Sequence, residues 1–282
     1  MKPFRLKGGR VLGFERVRVM GVLNVTPDSF SDGGRWAGTE AAIGRGLALV
    51  EGGADLVDVG GESTRPGSDP VPATEQLRRI EPVIAALVDR GVIVSVDTTS
   101  LEVARAAVAA GAEIVNDISA FRFDNGMLPW LARAGVPAIA MHTLGPPKTM
   151  QRDVHYDDVV AEVVGHLADR AEAATRAGVE PTQLALDPGI GFGKRLEDNL
   201  ALLRHLDRLV ALGHPVLVGT SRKAFLGRIT GKPVDERLMG TAASVAIAIA
   251  KGARLVRVHD PAELRDVIAV ADAIANGVSS GP

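Results

Sequence analysis

Polar and charged side chains follow the ends of short apolar runs along almost the whole chain of 282 residues. They are residue types that bind ligands or move protons. In chain order they are Asn24; Asp58, Glu62, Ser63, Thr64 and Arg65; Asp97; Asn116 and Asp117; His142; Asp187; Ser221, Arg222 and Lys223; and Arg257 and His259. If the apolar runs are parallel strands of a barrel, these groups meet on one face, because active sites of such barrels are built at the carboxyl ends of the strands.

Three of these residues suit a flat heterocycle that is rich in hydrogen-bond donors. Asp97, Asn116 and Asp187 supply two carboxylates and an amide, and a buried hydrogen bond to a charged group contributes about 1.5–3 kcal/mol. Lys223 adds a donor for a ring carbonyl. A Schiff-base aldolase that uses Lys223 is an alternative, but it leaves the two carboxylates and the amide without a clear task.

The last two predicted strands suit an anion. Arg257, His259 and a helix predicted to start at Ser221 lie at the usual phosphate corner of a barrel, where cations and free backbone N–H groups bind anions. The residues together therefore favour a heterocycle that carries phosphate. The sequence has neither HExxH nor a tight His/Asp cluster. A metal at this site would be a hard cation such as Mg²⁺, held mainly by phosphate and one protein oxygen.

Some of these residues have simpler interpretations. Asp260 and Pro261 are typical of a helix start, so Asp260 is predicted to be an N-cap. Asp58 lies within its strand and is predicted to anchor nearby loops. His142 fits equally a ligand contact and a supporting position behind the site. Ser-His-Asp catalysis is a weak competitor, because no GxSxG elbow is present.

The apolar runs alternate with helical patterns. The runs are rich in Val and Ile with few alternating polar residues, which is typical of parallel strands buried on both faces. They span residues 17–25, 54–60, 92–97, 114–118, 137–141, 184–187, 215–219 and 254–259. The predicted helices span residues 39–51, 73–90, 100–110, 125–134, 156–177, 196–212, 235–251 and 261–275.

Eight strand–helix units without a break in composition predict an α/β fold, a single TIM (β/α)8 barrel domain within residues 1–282. The barrel is expected over about residues 17–276, with a short β-hairpin at about 4–15 over its bottom. An open doubly wound sheet is the main alternative. It is disfavoured because no GxGxxG sequence follows the first strand.

Composition excludes several classes of protein. Lys and Arg total 32 against 34 Asp and Glu, which argues against a general nucleic-acid binder. The absence of Cys excludes disulfides and Cys nucleophiles. We expect no membrane partner and a cytoplasmic location, because no apolar stretch approaches the roughly 20 residues of a membrane span and the first residues lack the apolar core of a signal peptide.

The helix predicted at 235–251 is apolar around most of its circumference. This pattern predicts burial between two subunits of a homodimer. Burial against the barrel within one subunit is the alternative.

Six motifs, in order from about residue 17 to 260, resemble the dihydropteroate synthase family. They are NVTPDSFSDGG, GADLVDVGGESTRPG, SVDT, DPGIGFGK, GTSRKAFLG and RVHD. Each motif is short, but the six in order at predicted strand ends are highly specific. The resemblance implies a transferase of folate synthesis and a sulfonamide target. It would condense 6-hydroxymethyl-7,8-dihydropterin diphosphate with p-aminobenzoate, giving 7,8-dihydropteroate and pyrophosphate by a dissociative mechanism.

The resemblance also implies roles for individual residues. The implied pterin-binding residues are Asp97, Asn116, Asp187 and Lys223. The implied diphosphate-binding residues are Asn24, Arg257 and His259, with Asn24 also on Mg²⁺. The implied aminobenzoate-binding residues are Phe30, Thr64, Arg65, Pro66, Phe192 and Lys223. The implied catalytic residues are Asp32, Lys223, Arg257 and His259. Phe30 and Asp32 would belong to a moving lid after Asn24, with hinges at Gly33 and Gly34 and with Asp28 keeping the shape of the loop.

The chain departs from the family pattern at three places. Ala224 stands where the family usually has Ser after SRK, MHTLGPPKTMQ stands where MHMQG is expected, and NDISA replaces a common NDxSG. Two other functions remain open. These are a pterin-binding methyltransferase-type barrel, which would not use ESTRPG and RVHD, and a non-catalytic pterin-binding protein.

Overall fold

Eight parallel strands form the centre of the fold in the computed structural model, which describes residues 2–26 and 34–277, with no side-chain description for 34–37. A two-stranded hairpin precedes them. The strands are β1 (Phe4–Arg5), β2 (Val11–Leu12), β3 (Arg18–Asn24), β4 (Leu56–Gly60), β5 (Val94–Asp97), β6 (Ile114–Asp117), β7 (Ala138–Met141), β8 (Leu184–Asp187), β9 (Leu217–Val218) and β10 (Leu255–Val258).

The eight strands close into a barrel. Their order is β8-β7-β6-β5-β4-β3-β10-β9, with every pair parallel. The two ends of this series meet because Leu186 forms a parallel bridge with Val216, and the Leu186 N–H donates to the Pro215 carbonyl at 2.9 Å. The predicted (β/α)8 barrel is therefore confirmed, and the open doubly wound sheet is wrong.

Helices follow the strands around the outside of the barrel. They are α1 (Gly34–Glu51), α2 (Ala73–Val88), α3 (Leu101–Ala109), α4 (Met127–Ala134), α5 (Val159–Arg176), α6 (Leu196–Arg204), α7 (Leu206–Val210), α8 (Ala224–Thr230), α9 (Leu238–Ala250) and α10 (Pro261–Asn276). Among the described residues, none of these helices combines the length and the apolar character needed to cross a bilayer.

Several helix boundaries differ from the predictions. The helix predicted from residue 39 begins at Gly34. The helix predicted at 196–212 is two helices, because the backbone leaves the helical region at His205 (φ −111°, ψ 29°). The helix predicted to start at Ser221 starts at Ala224. The helix predicted from residue 235 starts at Leu238, after a 3₁₀ turn over Val234–Glu236. The spacing of hydrophobic residues does not distinguish a 3₁₀ turn from the α-helix that follows it.

Strand register gathers the polar side chains at the carboxyl end of the barrel. Asn24 pairs with Gly60, Gly60 pairs with Asp97, and Asp97 pairs with Asn116. Paired residues face the same side of a sheet, so these four form one layer of the interior. Asp58, two residues before Gly60, lies one layer deeper.

The hairpin of β1 and β2 covers the amino end of the barrel, as predicted. Phe4 and Phe14 pack edge to face with ring centroids 5.1 Å apart. Both are buried in a cluster with the lowest interior side chains of the strands, which are Met20, Leu56, Ile114, Ile139, Ala185, Leu217 and Leu255. The hairpin therefore seals the apolar floor of the barrel below the polar layer.

Replacing Phe4 by Ala should destabilise the protein, because Phe4 is fully buried and truncation of a buried Phe costs about 3–5 kcal/mol. Chemical denaturation measures the loss. Val11→Ala, in the same hairpin but 60% exposed, is the matched control and should change stability little. Equal stabilities of the two variants would contradict the sealing role of the hairpin.

Candidate active site

A pocket opens at the carboxyl end of the barrel, where the sequence predicts the site. Its wall combines carboxylates, an amide and cations with several apolar side chains. The lining residues are Val22, Thr64, Asp97, Asn116, Ile118, Met141, Asp187, Gly189, Ile190, Phe192, Gly219, Ser221, Lys223, Arg257 and His259. They come from six of the eight barrel strands and from the segments that follow strands.

One side of the pocket is a network of buried charges. The guanidinium of Arg257 donates from Nε to Asp58 Oδ2 at 2.7 Å and from Nη2 to Asp97 Oδ2 at 3.0 Å. Asn116 Nδ2 donates to the same oxygen of Asp58 at 3.0 Å. Asp58, predicted to anchor loops, instead holds two side chains of the site. Among the described residues, Asp97 Oδ1 and Asn116 Oδ1 have no hydrogen-bond partner although both atoms are buried.

Burial governs the protonation of this network. It raises the pKa of Asp97 to about 7, helped by the nearby Asp58 carboxylate and opposed by Arg257. Burial by itself would lower the pKa of Arg257, but attraction from Asp58 and Asp97 outweighs burial and raises it. Arg257 is therefore a permanent cation, whereas the charge on Asp97 depends on what enters the pocket.

The opposite side of the pocket holds Asp187, Phe192 and Lys223. Lys223 Nζ lies 4.0 Å from the centroid of the Phe192 ring, a cation–π contact. Burial lowers the pKa of Lys223 to about 8, with repulsion from Arg257 adding to the effect. Burial raises the pKa of Asp187 to about 6, although its Oδ1 accepts a hydrogen bond from the Gly189 N–H at 2.7 Å. This side therefore combines a hydrogen-bonding carboxyl with a cation on an aromatic face.

The segment after β8 can make this turn only with glycine. Gly189 has φ +67°, and a Cβ there would lie 1.9 Å from the His142 carbonyl oxygen. This close approach brings the segment that carries Phe192 against the end of β7. The first glycine of the DPGIGFGK motif thus has a steric explanation.

His142 and Lys194 hold the segment after β8 in place. No role was predicted for Lys194 from the sequence. Lys194 Nζ donates to His142 Nδ1 and to the Phe192 carbonyl, both at 3.0 Å. Burial, with repulsion from Lys194, lowers the pKa of His142 to about 2, so the imidazole stays neutral. His142 is not among the lining residues and therefore has the supporting position. The only sequence signal for Lys194 was its place at the end of DPGIGFGK.

Ser221 and His259 lie together beyond the end of β10, where the sequence predicts an anion site. His259 Nδ1 lies 3.0 Å from Ser221 Oγ, and the His259 N–H donates to the same oxygen at 3.2 Å. Burial lowers the pKa of His259 to about 4, with a further decrease from Arg257. Because α8 begins only at Ala224, Ser221 contributes a hydroxyl group here and not the start of a helix.

Two other predictions at this corner need correction. Asp260 occupies the residue before α10, as predicted, but its side chain makes no capping bond. Its carboxylate instead accepts two hydrogen bonds from Arg222, at 2.9 Å from Nε and 2.5 Å from Nη2. Because its guanidinium is paired with Asp260, Arg222 does not line the pocket. Its backbone has φ +58°.

The predicted aminobenzoate residues lie at different depths. Thr64 and Phe192 line the pocket, whereas Arg65 and Pro66 are exposed in the segment after β4. The Gly67 N–H donates to the Pro147 carbonyl at 3.0 Å, which ties this segment to the one after β7. Phe30 and Asp32, with Asp28 and Gly33 of the predicted lid, lie outside the described residues, whereas Gly34 is the first residue of α1.

Asn24 ends β3 at the rim, half-buried, and is not itself among the lining residues. A Cβ on its strand neighbour Gly60 would lie 3.6 Å from Asn24 Oδ1 and 3.5 Å from Asp97 Cβ. The absence of a side chain at Gly60 therefore leaves space between Asn24 and Asp97. Among the described residues, no group of three or more His, Cys, Asp or Glu side chains could hold a metal.

A family model described as pterin binding enzyme matches residues 20–259. A curated dihydropteroate synthase of Synechocystis is 46% identical over 262 residues, which cover 92% of this chain and 91% of that protein. The chain belongs to the dihydropteroate synthase family.

Solved structures of a Xanthomonas albilineans dihydropteroate synthase are similar to the chain. The structure with 4-aminobenzoic acid has a TM-score of 0.90 and 48% identity, and it covers 99% of this chain and 100% of that one. The structure in complex with 7,8-dihydropteroate has a TM-score of 0.85 and 46% identity, with 97% and 98% coverage. The similarity thus extends over the barrel and over every segment that lines the pocket.

Of the three departures from the dihydropteroate synthase pattern, one has a local role in the structure. Thr143, in MHTLGPPKTMQ, is buried and donates from Oγ1 to the Gly145 carbonyl at 2.8 Å, so it shapes the turn after β7. In NDISA, Ala120 has φ +52°, a conformation for which the glycine of the family pattern is better suited. Nothing in the structure explains why Ala stands at position 120 or at position 224.

Asp117, the second polar residue at the end of β6, points away from the pocket. Its Oδ1 accepts from the Ser119 N–H at 2.7 Å and from Ser119 Oγ at 2.6 Å. Burial nevertheless raises the pKa of Asp117 from 3.8 to about 6. Side chains alternate along a strand, so Asp117 serves the outer turn while Asn116 serves the site.

The pKa of Asp117 makes stability depend on pH. A carboxyl with a raised pKa contributes stability that is present below its unfolded pKa and is lost as pH rises through its folded pKa. Asp117→Asn keeps an oxygen for Ser119 and removes this titration. Between about pH 4 and pH 7 the wild-type protein should lose the stability that comes from Asp117. The free energy of unfolding of Asp117→Asn, measured relative to that of wild type, should therefore be higher at pH 7 than at pH 4 by roughly 1–3 kcal/mol. Denaturation at both pH values measures the change, and parallel profiles for the two proteins would contradict it.

Proposed function

We propose that the protein is a dihydropteroate synthase, which condenses 6-hydroxymethyl-7,8-dihydropterin diphosphate with p-aminobenzoate and releases pyrophosphate. The observation that carries this proposal is the convergence of Asp97, Asn116, Asp187 and Lys223 on one pocket beside Arg257 and His259. The Xanthomonas structures support the same reaction, because one contains 4-aminobenzoic acid, a substrate, and another contains 7,8-dihydropteroate, the product.

The pterin ring is recognised by acceptors on one edge and by a donor on the other. Asp97 Oδ1 and Asn116 Oδ1 are buried without a partner among the described residues, and such atoms are costly unless a ligand pairs with them. The N–H groups of a pterin supply the missing donors. Lys223 donates to the ring carbonyl, and Asp187 accepts a further ring N–H group.

The diphosphate lies at the corner of Asn24, Arg257 and His259. Arg257 is the permanent cation of the pocket, and Ser221 fixes the ring of His259. Mg²⁺ fits this corner, because Asn24 Oδ1 is a hard oxygen ligand at the open rim. The described residues offer no cluster that would hold the ion without the substrate. When bound, Mg²⁺ would neutralise charge on the leaving diphosphate.

The reaction needs charge stabilisation and no covalent nucleophile. The exocyclic C–O bond of the pterin breaks and its electron pair leaves with pyrophosphate. The amine of p-aminobenzoate then attacks the resulting cation and loses a proton. Arg257 and His259 stabilise the departing charge, while Asp97 and Asp187 stabilise the delocalised cation. Asp32, in the predicted lid, would face this cation, and lid closure would exclude water from it.

The p-aminobenzoate stacks near Phe192 and Lys223 at the outer end of the pocket. The cation–π pair of these residues offers an aromatic surface for the ring and a positive charge for the carboxylate. Thr64 lies at the lining, with Arg65 and Pro66 above it, and Phe30 would close the remaining side. Sulfonamides, which imitate p-aminobenzoate, should compete for this position.

Turnover is tested by supplying both substrates with Mg²⁺ and measuring pyrophosphate release. We expect release that depends on p-aminobenzoate and stops when EDTA removes Mg²⁺. A folded protein that binds the pterin diphosphate without release above background would instead be a non-catalytic pterin-binding protein. Methyl transfer from a pterin would identify the methyltransferase-type alternative.

Two substitutions separate binding from chemistry. Asp187→Asn removes a charged partner of the pterin and should weaken pterin binding by about tenfold or more. Asp32→Ala should mainly lower kcat and leave pterin binding near the wild-type value. Calorimetry with the pterin and steady-state kinetics measure the two effects. Loss of pterin binding in Asp32→Ala, with unchanged turnover of bound substrate, would refute the proposed role of the lid.

The subunits associate through the outer faces of α9 and α10. One face of α9 packs inside the subunit, through residues such as Val245 and Ile249. The other face leaves Met239 75% exposed, and Ile274 of α10 is 80% exposed. Exposed apolar side chains on neighbouring helices support a protein–protein contact, so we propose a homodimer.

A cytoplasmic location rests on the sequence expectation, and cell fractionation tests it.

Light scattering measures the state of association. The wild-type protein should have twice the subunit mass, and Met239→Glu should shift it towards the monomer because it places a charge in the apolar contact. Val11→Glu changes an apolar, exposed residue of the hairpin and should leave the mass unchanged. A monomeric wild-type protein would refute the dimer.

A further inference from the structure

A single carboxylate oxygen lies beneath the pocket and holds two of its side chains. Asp58 is completely buried in the middle of β4, one layer below Asp97 and Asn116. Its Oδ2 accepts from Arg257 Nε at 2.7 Å and from Asn116 Nδ2 at 3.0 Å. Asp58 itself is not among the residues that line the pocket, so it acts on a ligand only through these neighbours.

The bond to Asp58 decides which way round the amide of Asn116 is held. A carboxylate oxygen accepts hydrogen bonds, so the nitrogen of the amide must face Asp58. The amide oxygen is then left to the pocket, where it has no partner among the described residues. Without the carboxylate, either end of the amide could face the ligand. The same contact fixes one edge of the Arg257 guanidinium, and the bond from Nη2 to Asp97 fixes its plane.

We propose that Asp58 is a positioning residue that sets the donor and acceptor polarity of the pterin pocket through Asn116 and Arg257. This inference rests on the proposed function, because it takes a pterin as the ligand. Asp58 makes Asn116 an acceptor for the ring N–H groups and keeps the guanidinium of Arg257 beside the place where pyrophosphate leaves. Neither task requires contact between Asp58 and the substrate.

The substitution Asp58→Leu has a specific consequence under this proposal. It keeps the approximate size of the side chain but removes the oxygen that accepts from both Asn116 and Arg257. Either end of the Asn116 amide can then face the ligand, so its donors can meet the donors of the pterin. Asp58→Asn is the conservative variant, because its amide oxygen can take the place of the shared Oδ2 and accept from both neighbours. A purely structural role for Asp58 predicts a loss of stability in Asp58→Leu but no selective loss of pterin binding.

A second substitution tests whether Asp58 acts through Asn116. Asn116→Leu removes the acceptor that Asp58 orients, so the double variant Asp58→Leu/Asn116→Leu should lose less affinity than the two single losses added together. Each of these single variants should bind 6-hydroxymethyl-7,8-dihydropterin at least about tenfold more weakly than wild type, and Asp58→Asn should bind it more tightly than Asp58→Leu. Calorimetry measures the affinities, and circular dichroism checks folding.

Ser95→Ala is the matched control. Ser95 pairs with Asp58 in the sheet and is equally buried, but its hydroxyl makes no hydrogen bond to the described residues. Its affinity for the pterin should stay within about twofold of wild type, because no polarity changes.

The same reasoning predicts a kinetic effect on one substrate only. In Asp58→Leu the KM for the pterin diphosphate should rise, whereas the KM for p-aminobenzoate should change little. If Asp58→Leu fails to fold, Asp58→Ala takes its place in both measurements. Additive losses in the double variant, or wild-type affinity in either single variant, overturn the inference. Absence of pterin binding by the wild-type protein overturns the proposed function instead.

Discussion

The ion-pair network of Arg257 with Asp58 and Asp97 is the interaction on which the site depends. A buried charge is costly unless it is paired and hydrogen-bonded. Here one guanidinium binds two carboxylates that come from neighbouring strands, at 2.7 and 3.0 Å. Asp97 Oδ1 and Asn116 Oδ1 have no partner within the part of the chain that the structure describes, so the network still has two acceptors for the donors of a ligand. The raised pKa of Asp97 has the same origin.

The barrel makes this network possible by fixing the register of its strands. Asn24, Gly60, Asp97 and Asn116 share one layer because each is paired with the next across the sheet. Gly60 contributes no side chain, so the layer is open between Asn24 and Asp97. Apolar layers below, closed by the hairpin at the amino end, exclude water from the base of the site. The charged groups therefore interact in surroundings where electrostatic effects are strong.

Opposite this network, a backbone constraint positions the aromatic wall. Gly189 approaches the His142 carbonyl more closely than any residue with a Cβ could, and Lys194 ties the Phe192 carbonyl to the imidazole of His142. Phe192 in turn supports Lys223. The DPGIGFGK motif thus serves two purposes, since its first glycine sets the path of the chain and its lysine fixes that path. The pocket contacts of Phe192 and Lys223 then depend on Lys194 and His142, neither of which lines the pocket.

The sequence by itself determined the barrel and the strand ends that build its site. Eight apolar runs, each followed by polar residues, suffice because strand periodicity and the common direction of parallel strands leave few other arrangements. The motifs added the family. Only the tertiary structure decided which neighbour each polar group meets. It joined Asp58 to Arg257, residues 199 positions apart, paired Asp260 with Arg222 where a helix cap was predicted, and turned Asp117 away from the site. These partners depend on how distant segments pack against one another, which leaves no local pattern in the sequence.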